Sequence, residues 1–533
     1  LKEALMQENM RNYFIRALEG RAGTYILTGN FENAIADYNR LAREKGKAKI
    51  RGIVGKAEIY GKTGNFKQAV RLLERAERIC RENGWEENIA EIRARKGFMK
   101  IRLGKPEEAI RDCELAIKIA EKYKLTETLN RGLVNLASIY TSTGNVEKSL
   151  FYLEKALKNI QRKGNKKGEA TILHNMGVNY LDAYRYRDAE EMLKKSMEIR
   201  KKIGDVWGLA SCYYNLGNLY RYQGNYSRAM FYYLKSKKIR EEINDPHGIA
   251  RCEICIGVLS GIKGDYSGAA NAFLHALQIF RKSAEPRGIT TCLINLAYVE
   301  YFNGNYREAE KYFLESLRIS REKRMVGDIL TSLFSLLRIY LEQGRKETGD
   351  ILNELEKMKD EPTFPEWDMA KYRLLSASDS DRISCIKVLK KLLEKEETEI
   401  KKGEFLLFKG MVEKDGESLL GALSISRKLG EKELEQESLY RLSLFYLENG
   451  EIKNAERYIL RLKKHAEITK RLLPYLHYLL FFLSCLKRKP SPTHYCEAKV
   501  LAEKMGLSPL LQKLDSLHPP FECYKNSAPG RKP

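Results

Sequence analysis

A glycine-centred turn returns along this chain at a fixed interval. Gly104, Gly144, Gly224, Gly264, Gly304 and Gly344 fall on one forty-residue beat, and Tyr184 stands where the beat lacks its glycine. Two earlier turns, Thr28-Gly29-Asn30-Phe31 and Thr63-Gly64-Asn65-Phe66, lie thirty-five residues apart. A chain with such a period grows by adding one small unit to the next and needs no single large core. Its 533 residues therefore do not divide into the three or four globular domains that length alone suggests.

One unit displays the physics. Tyr213, Leu216, Gly217 and Tyr220 share one face of a 3.6-period helix. After the turn at Gly224, the residues Ala229, Tyr233 and Ser236 form the stripe of a second helix that faces it. Gly217 and Ala229 are small, so the two backbones can approach where the helices cross. Gly224 supplies the positive φ that closes the first helix. Asp205 and Gly208, echoed at Asp245 and Gly248, mark the loop and N-cap that open the next hairpin.

The pattern aromatic-x2-Leu-Gly-x2-Tyr followed by Ala-x3-aromatic resembles the tetratricopeptide repeat signature. The forty-residue length, Asn-Leu-Gly-Asn at 215–218 and the inter-repeat Gly-Asp at 204–205 resemble its long-helix subtype, found in Pins/LGN polarity scaffolds, kinesin light chains and bacterial regulator sensor arms. The resemblance implies an all-α fold, a right-handed superhelical solenoid of antiparallel hairpins. The closing proline of helix B is missing, so helix B is expected to run longer. The regular array is expected over 1–345, about nine hairpins with the first partly truncated. Degenerate hairpins follow over 346–435, with a hinge near 357–368 where Pro362 and Pro365 interrupt the helices. The signature returns around Tyr446, Gly450 and Ala455, within C-terminal hairpins and capping helices at 436–517, and 518–533 reads as a loose tail. The unit near 90–116 departs most, with Lys96 and Lys100 where leucine and tyrosine belong.

Catalytic chemistry finds little footing. Gly61-Lys62-Thr63 ends like a phosphate-binding loop, but Gly55 to Gly61 encloses one residue too many and no strand precedes it. Cys252-Glu253-Ile254-Cys255 lacks the βαβ setting of a redox motif, and Cys212, Cys252 and Cys292 repeat one packing position at forty-residue steps. Cys485, His494, Cys496, His518 and Cys523 match no zinc spacing. The chain is expected to be no enzyme and to need no metal or cofactor. Leu472–Leu486, the most apolar stretch, carries Pro474 and His477 and falls short of the roughly 20 apolar residues of a membrane span. A cytoplasmic protein with reduced thiols is the expectation.

The net charge is +24, with cations at the ends of successive helices: Arg162-Lys163, Arg200-Lys201-Lys202, Lys237-Lys238, Arg281-Lys282 and Arg321. These complement the negative end of the helix dipole, and interleaved glutamates argue against nucleic acid as a partner. The distinctive set is an asparagine ladder, Asn135, Asn175, Asn215 and Asn295, interrupted by Cys255. In the family that this chain resembles, helix A lines a concave groove, which places the ladder there with His174, Tyr214, Asn218, Arg221, Tyr298 and Tyr301. Two readings stand open. The amides could pair with an extended peptide, whose backbone offers both donors and acceptors, or they could bond one hairpin to the next. The function expected is a protein-interaction scaffold whose groove takes a peptide or protein segment. The alternative is a ligand-sensing regulatory arm joined to an ATPase, kinase or cyclase domain upstream of Leu1.

Overall fold

The computed structural model describes residues 2–27, 30–395, 398–467, 469–487 and 489–517. Thr28 and Gly29 of the first turn, and the tail 518–533, lie outside the described residues. The chain is 85% helical, without a strand among the described residues. Its helices follow one another as antiparallel pairs, and they gather into two compact units, Leu1–Asn244 and Asp245–Pro533.

The N-terminal unit holds six helix pairs, from Lys2–Leu27 with Phe31–Arg43 to Val206–Tyr222 with Tyr226–Glu242. The turn inside a pair has a repeated construction. At Gly224 φ is +73°, the Asn225 N–H reaches the Tyr220 carbonyl at 2.8 Å, and the Asn225 side chain accepts the Arg228 N–H at 3.2 Å. These bonds satisfy carbonyls that end one helix and amides that begin the next. Tyr184 takes the glycine's place with φ +58°, a conformation that crowds its Cβ. Between pairs, Asp205 caps the Gly208 N–H at 3.0 Å, as the loop reading requires.

Packing within each pair follows one rule. Ala189 and Ala229 are fully buried at the crossing, and the residue one turn further along helix B fills a notch left by glycine on helix A. A Cβ on Gly177 would stand 2.7 Å from Leu193, and one on Gly217 would stand 2.6 Å from the Tyr233 ring. Neither neighbour has room to retreat.

The divergent unit is explained by charge. Lys96 is buried and donates to Glu77 at 2.7 Å, while Lys100 lies 2.8 Å from Asp112. Arg93 joins the same two carboxylates, so the lost leucine and tyrosine are replaced by an ionic cluster held between neighbouring helices.

The C-terminal unit continues with six pairs, from Pro246–Lys263 with Tyr266–Lys282 to Lys432–Glu448 with Ile452–Ala466. In it, Asp245 caps the Gly248 N–H at 2.9 Å, and Gly257 receives Phe273 beside buried Ala269. Helix Thr348–Glu356 has only 9 residues, and the chain turns through 357–365 before Pro365 caps Glu366–Ser376. A last pair, Leu473–Leu486 with Pro492–Met505, is followed by Ser508–Ser516. These final helices return onto earlier ones. Gln343 donates to the Met505 carbonyl at 3.0 Å, and Pro509 packs against Gly344. No helix among the described residues is long and apolar enough to cross a membrane.

Candidate functional site

In the N-terminal unit, helix A carries the predicted polar residues on one half-buried face. His174 and Asn215 meet across adjacent hairpins, with Nε2 to Nδ2 at 3.0 Å. Asn218 then donates to the Asn215 Oδ1 at 3.2 Å, and Tyr233 donates to the Asn218 Oδ1 at 2.7 Å. Burial, reinforced by the Arg200 cation, lowers the His174 pKa to about 4, so its ring is neutral near pH 7. Tyr214 lies against Tyr233 at 5.7 Å, and the Arg221 guanidinium sits 4.5 Å over the Tyr222 ring.

The ladder members are not equivalent. Asn135 donates to the Ala94 carbonyl of the preceding hairpin at 2.7 Å. Asn175, half-buried between Asn135 and Asn215 in the register, makes no side-chain hydrogen bond among the described residues. Asn295, in the C-terminal unit, turns back to its own helix at the Thr291 carbonyl, 2.8 Å away.

The structure thus brings His174, Asn215, Asn218 and Tyr214 together in one network. Tyr298 and Tyr301 belong to a different place. Both line a cavity of about 420 Å³ in the C-terminal unit, with Phe334, Arg338 and Tyr372. The Tyr298 hydroxyl lies 2.9 Å from Ser335 Oγ. Tyr301 is 1% exposed, and its hydroxyl donates to Glu342, which also receives the Tyr306 hydroxyl.

Arg338 and Tyr372 also border a second cavity, of about 360 Å³, that the sequence did not announce. Five cations (Arg338, Lys371, Arg441, Arg471 and Lys513) face four carboxylates (Glu342, Glu404, Glu433 and Glu437) around it. Arg338 pairs with Glu433 at 3.1 Å, Arg441 with Glu437 at 2.7 Å, Lys371 with Glu404 at 3.2 Å and Arg471 with Glu342 at 3.3 Å. Burial opposes the charge on Glu433, but Arg338 and Arg471 outweigh it and hold its pKa below the usual carboxylate range. The Arg471 Nε is buried without a partner, and Lys513 has no ion pair among the described residues. Burial, followed by the nearby Arg441 charge, lowers the Lys513 pKa. Apolar walls from Leu407, Phe408 and Leu434 complete the cavity. One signal was available: Arg338 stands one forty-residue step beyond Tyr298, at the register of the helix-A face. Its neighbours Glu433, Glu437 and Arg441 come from the hairpin where the signature returns and Arg471 from the segment after it, about a hundred residues away along the chain.

Two other motifs resolve as packing, whereas Cys496, expected among reduced thiols, is disulfide-bonded. Gly61-Lys62-Thr63 ends helix Lys47–Lys62, with the Thr63 hydroxyl on the Ile59 carbonyl at 3.1 Å. Cys252 and Cys255 are unbridged, and Cys212, Cys252 and Cys292 are all buried. Arg200, one of the cations at a helix end, turns its guanidinium inward to Asp205 at 2.6 Å. His518 and Cys523 lie outside the described residues.

Family profiles described as tetratricopeptide repeat match residues 90–123, 126–202, 170–242 and 248–322. No curated protein matches the sequence. Among solved structures, BtubC (BKLC) from P. vanneervenii is 23% identical, with a TM-score of 0.35 over 43% of this chain and 93% of that one. A Rap protein complexed with competence and sporulation factor is 17% identical, with a TM-score of 0.47 over 60% of this chain and 88% of its own. A signal transduction ATPase with a tetratricopeptide repeat sensor from Pyrococcus horikoshii is 17% identical, with a TM-score of 0.46, over 65% of this chain and 52% of that one. The role supported by the repeats is protein interaction. From the turn geometry, the glycine–alanine crossings and the matched profiles, this chain carries tetratricopeptide repeats over residues 90–123, 126–242 and 248–322.

Proposed function

We propose that the chain is a non-catalytic scaffold whose helix-A face captures an extended peptide or protein segment. The observation that supports this most directly is Asn175, a half-buried amide with no internal partner, set between ladder members that are bonded. Its amide is not sealed from water, and a ligand backbone could exchange that water for directed bonds with its donors and acceptor. The bonded amides retain spare capacity, since each offers two donors and a two-lone-pair acceptor. Tyr214, Asn218 and Arg221 flank this strip and would set specificity.

The test separates binding from folding. A partner recovered by pull-down is titrated against the parent and Asn175→Ala. Losing one or two hydrogen bonds, each worth roughly 0.5–1.5 kcal/mol, should weaken binding up to about tenfold at unchanged melting temperature. Asn215→Ala should both weaken binding and lower the melting temperature, because it also unties His174. Undiminished binding by Asn175→Ala would sink the reading.

A second reading, a ligand-sensing arm of a larger signalling protein, is favoured by the charged cavity of the C-terminal unit. Its surplus cation and apolar walls suit a small amphipathic organic anion. Screened aliphatic and aromatic carboxylates should raise the melting temperature of the parent and not of Lys513→Met. Equal shifts in both proteins would exclude the cavity as the cause.

A further inference from the structure

The last helix pair brings two imidazoles and a carboxylate to one point. His477 lies on Leu473–Leu486, and His494 and Glu497 lie on Pro492–Met505. The spacing of three residues puts the latter two on one helical face. The His477 and His494 Nδ1 atoms are 3.2 Å apart, and Glu497 Oε2 lies 2.8 Å from the first and 3.7 Å from the second. These are the only three metal-capable groups that converge in this way among the described residues.

The triangle has the dimensions of a coordination face. Zinc binds histidine nitrogen and carboxylate oxygen at about 2.0–2.2 Å, which in a tetrahedron sets ligand atoms about 3.3 Å apart. An ion about 2.0 Å from all three atoms fits just out of their plane.

We propose that His477, His494 and Glu497 form a divalent-metal site of the zinc class, which staples helix Leu473–Leu486 to helix Pro492–Met505. His494 is 33% and Glu497 48% exposed in their side chains, so solvent reaches the fourth position and completes the shell with water. The stapled pair is the one whose Met505 carbonyl receives Gln343, so the ion holds a segment that the unit uses to close on itself. This site stands apart from both cavities and does not depend on the peptide-binding reading.

The test uses the full chain freed of metal by a chelator, with zinc(II) titrated against a chromophoric indicator. The parent should bind one equivalent with a micromolar or tighter dissociation constant. His494→Ala and Glu497→Gln should each weaken that equivalent at least tenfold, and zinc should raise the melting temperature of the parent only. Cobalt(II) should give a d–d spectrum free of the thiolate charge-transfer band that cysteine ligation produces. Glu497→Gln alters an exposed, isosteric position and keeps the test intact if His494→Ala fails to fold. No zinc equivalent in the parent, equal affinity in the variants, or a thiolate band would each overturn the proposal.

Discussion

Gly217 meets Tyr233 without slack: its missing Cβ would lie 2.6 Å from a fully buried ring. Tyr233 also donates to Asn218, so it cannot swing away without breaking a bond that belongs to the His174–Asn215 network. Gly217→Leu should therefore force the hairpin open and destabilise it by roughly 1–3 kcal/mol. Chemical denaturation of the purified variant measures this directly. A parent-like midpoint would mean that the helix faces are wrongly assigned. The same contact shows what one residue type can reveal. Glycine at 217 was readable as a close approach, but its partner, the ring rather than the alanine backbone, was not.

At the scale of the element, the buried cluster around Glu77 joins helix Phe66–Glu82 to Glu86–Arg102 and Pro106–Lys122. Burial alone would raise the Glu77 pKa. Lys96 above all, with Arg81 and Arg93, outweighs it and lowers the value from 4.5 to about 2. A folded-state pKa below the unfolded one means that this stabilisation is full above pH 4.5 and fades as the pH falls toward 2. Glu77→Gln leaves Lys96 and Arg93 with one carboxylate between them, and should cost roughly 3–5 kcal/mol near neutral pH. The gap between variant and parent should narrow on acidification through that window. Thermal melts at pH 7 and pH 3 decide it, and a pH-independent gap would remove the ionic explanation. The lysines at 96 and 100 stood out in the sequence as departures from the repeat. Their meaning depended on Glu77 and Asp112, which only the stacking of neighbouring helices brings within reach.

For the molecule as a whole, the net charge of +24 is a weak guide to partners, because cations are repeatedly matched nearby. Arg281 pairs with Glu315 at 2.8 Å, Arg95 with Glu58 at 2.7 Å, and Arg200 is buried on Asp205. Fluorescence anisotropy with labelled duplex DNA and single-stranded RNA should show no submicromolar complex at physiological salt. A tight complex that weakens steeply with salt and with loss of Lys201 and Lys202 would reverse that expectation. The sequence by itself determined the hairpins, their forty-residue beat, the caps at Asp205 and Asp245 and the small residues at each crossing. All of these depend on contacts between residues close along the chain, which a periodic pattern records. Tertiary structure alone decided the charged cavity, whereas the His477–His494–Glu497 cluster lies within a single hairpin. Glu342 meets Arg471 across 129 residues and Gln343 meets Met505 across 162, and no local periodicity encodes pairings formed when the last helices fold back on earlier ones.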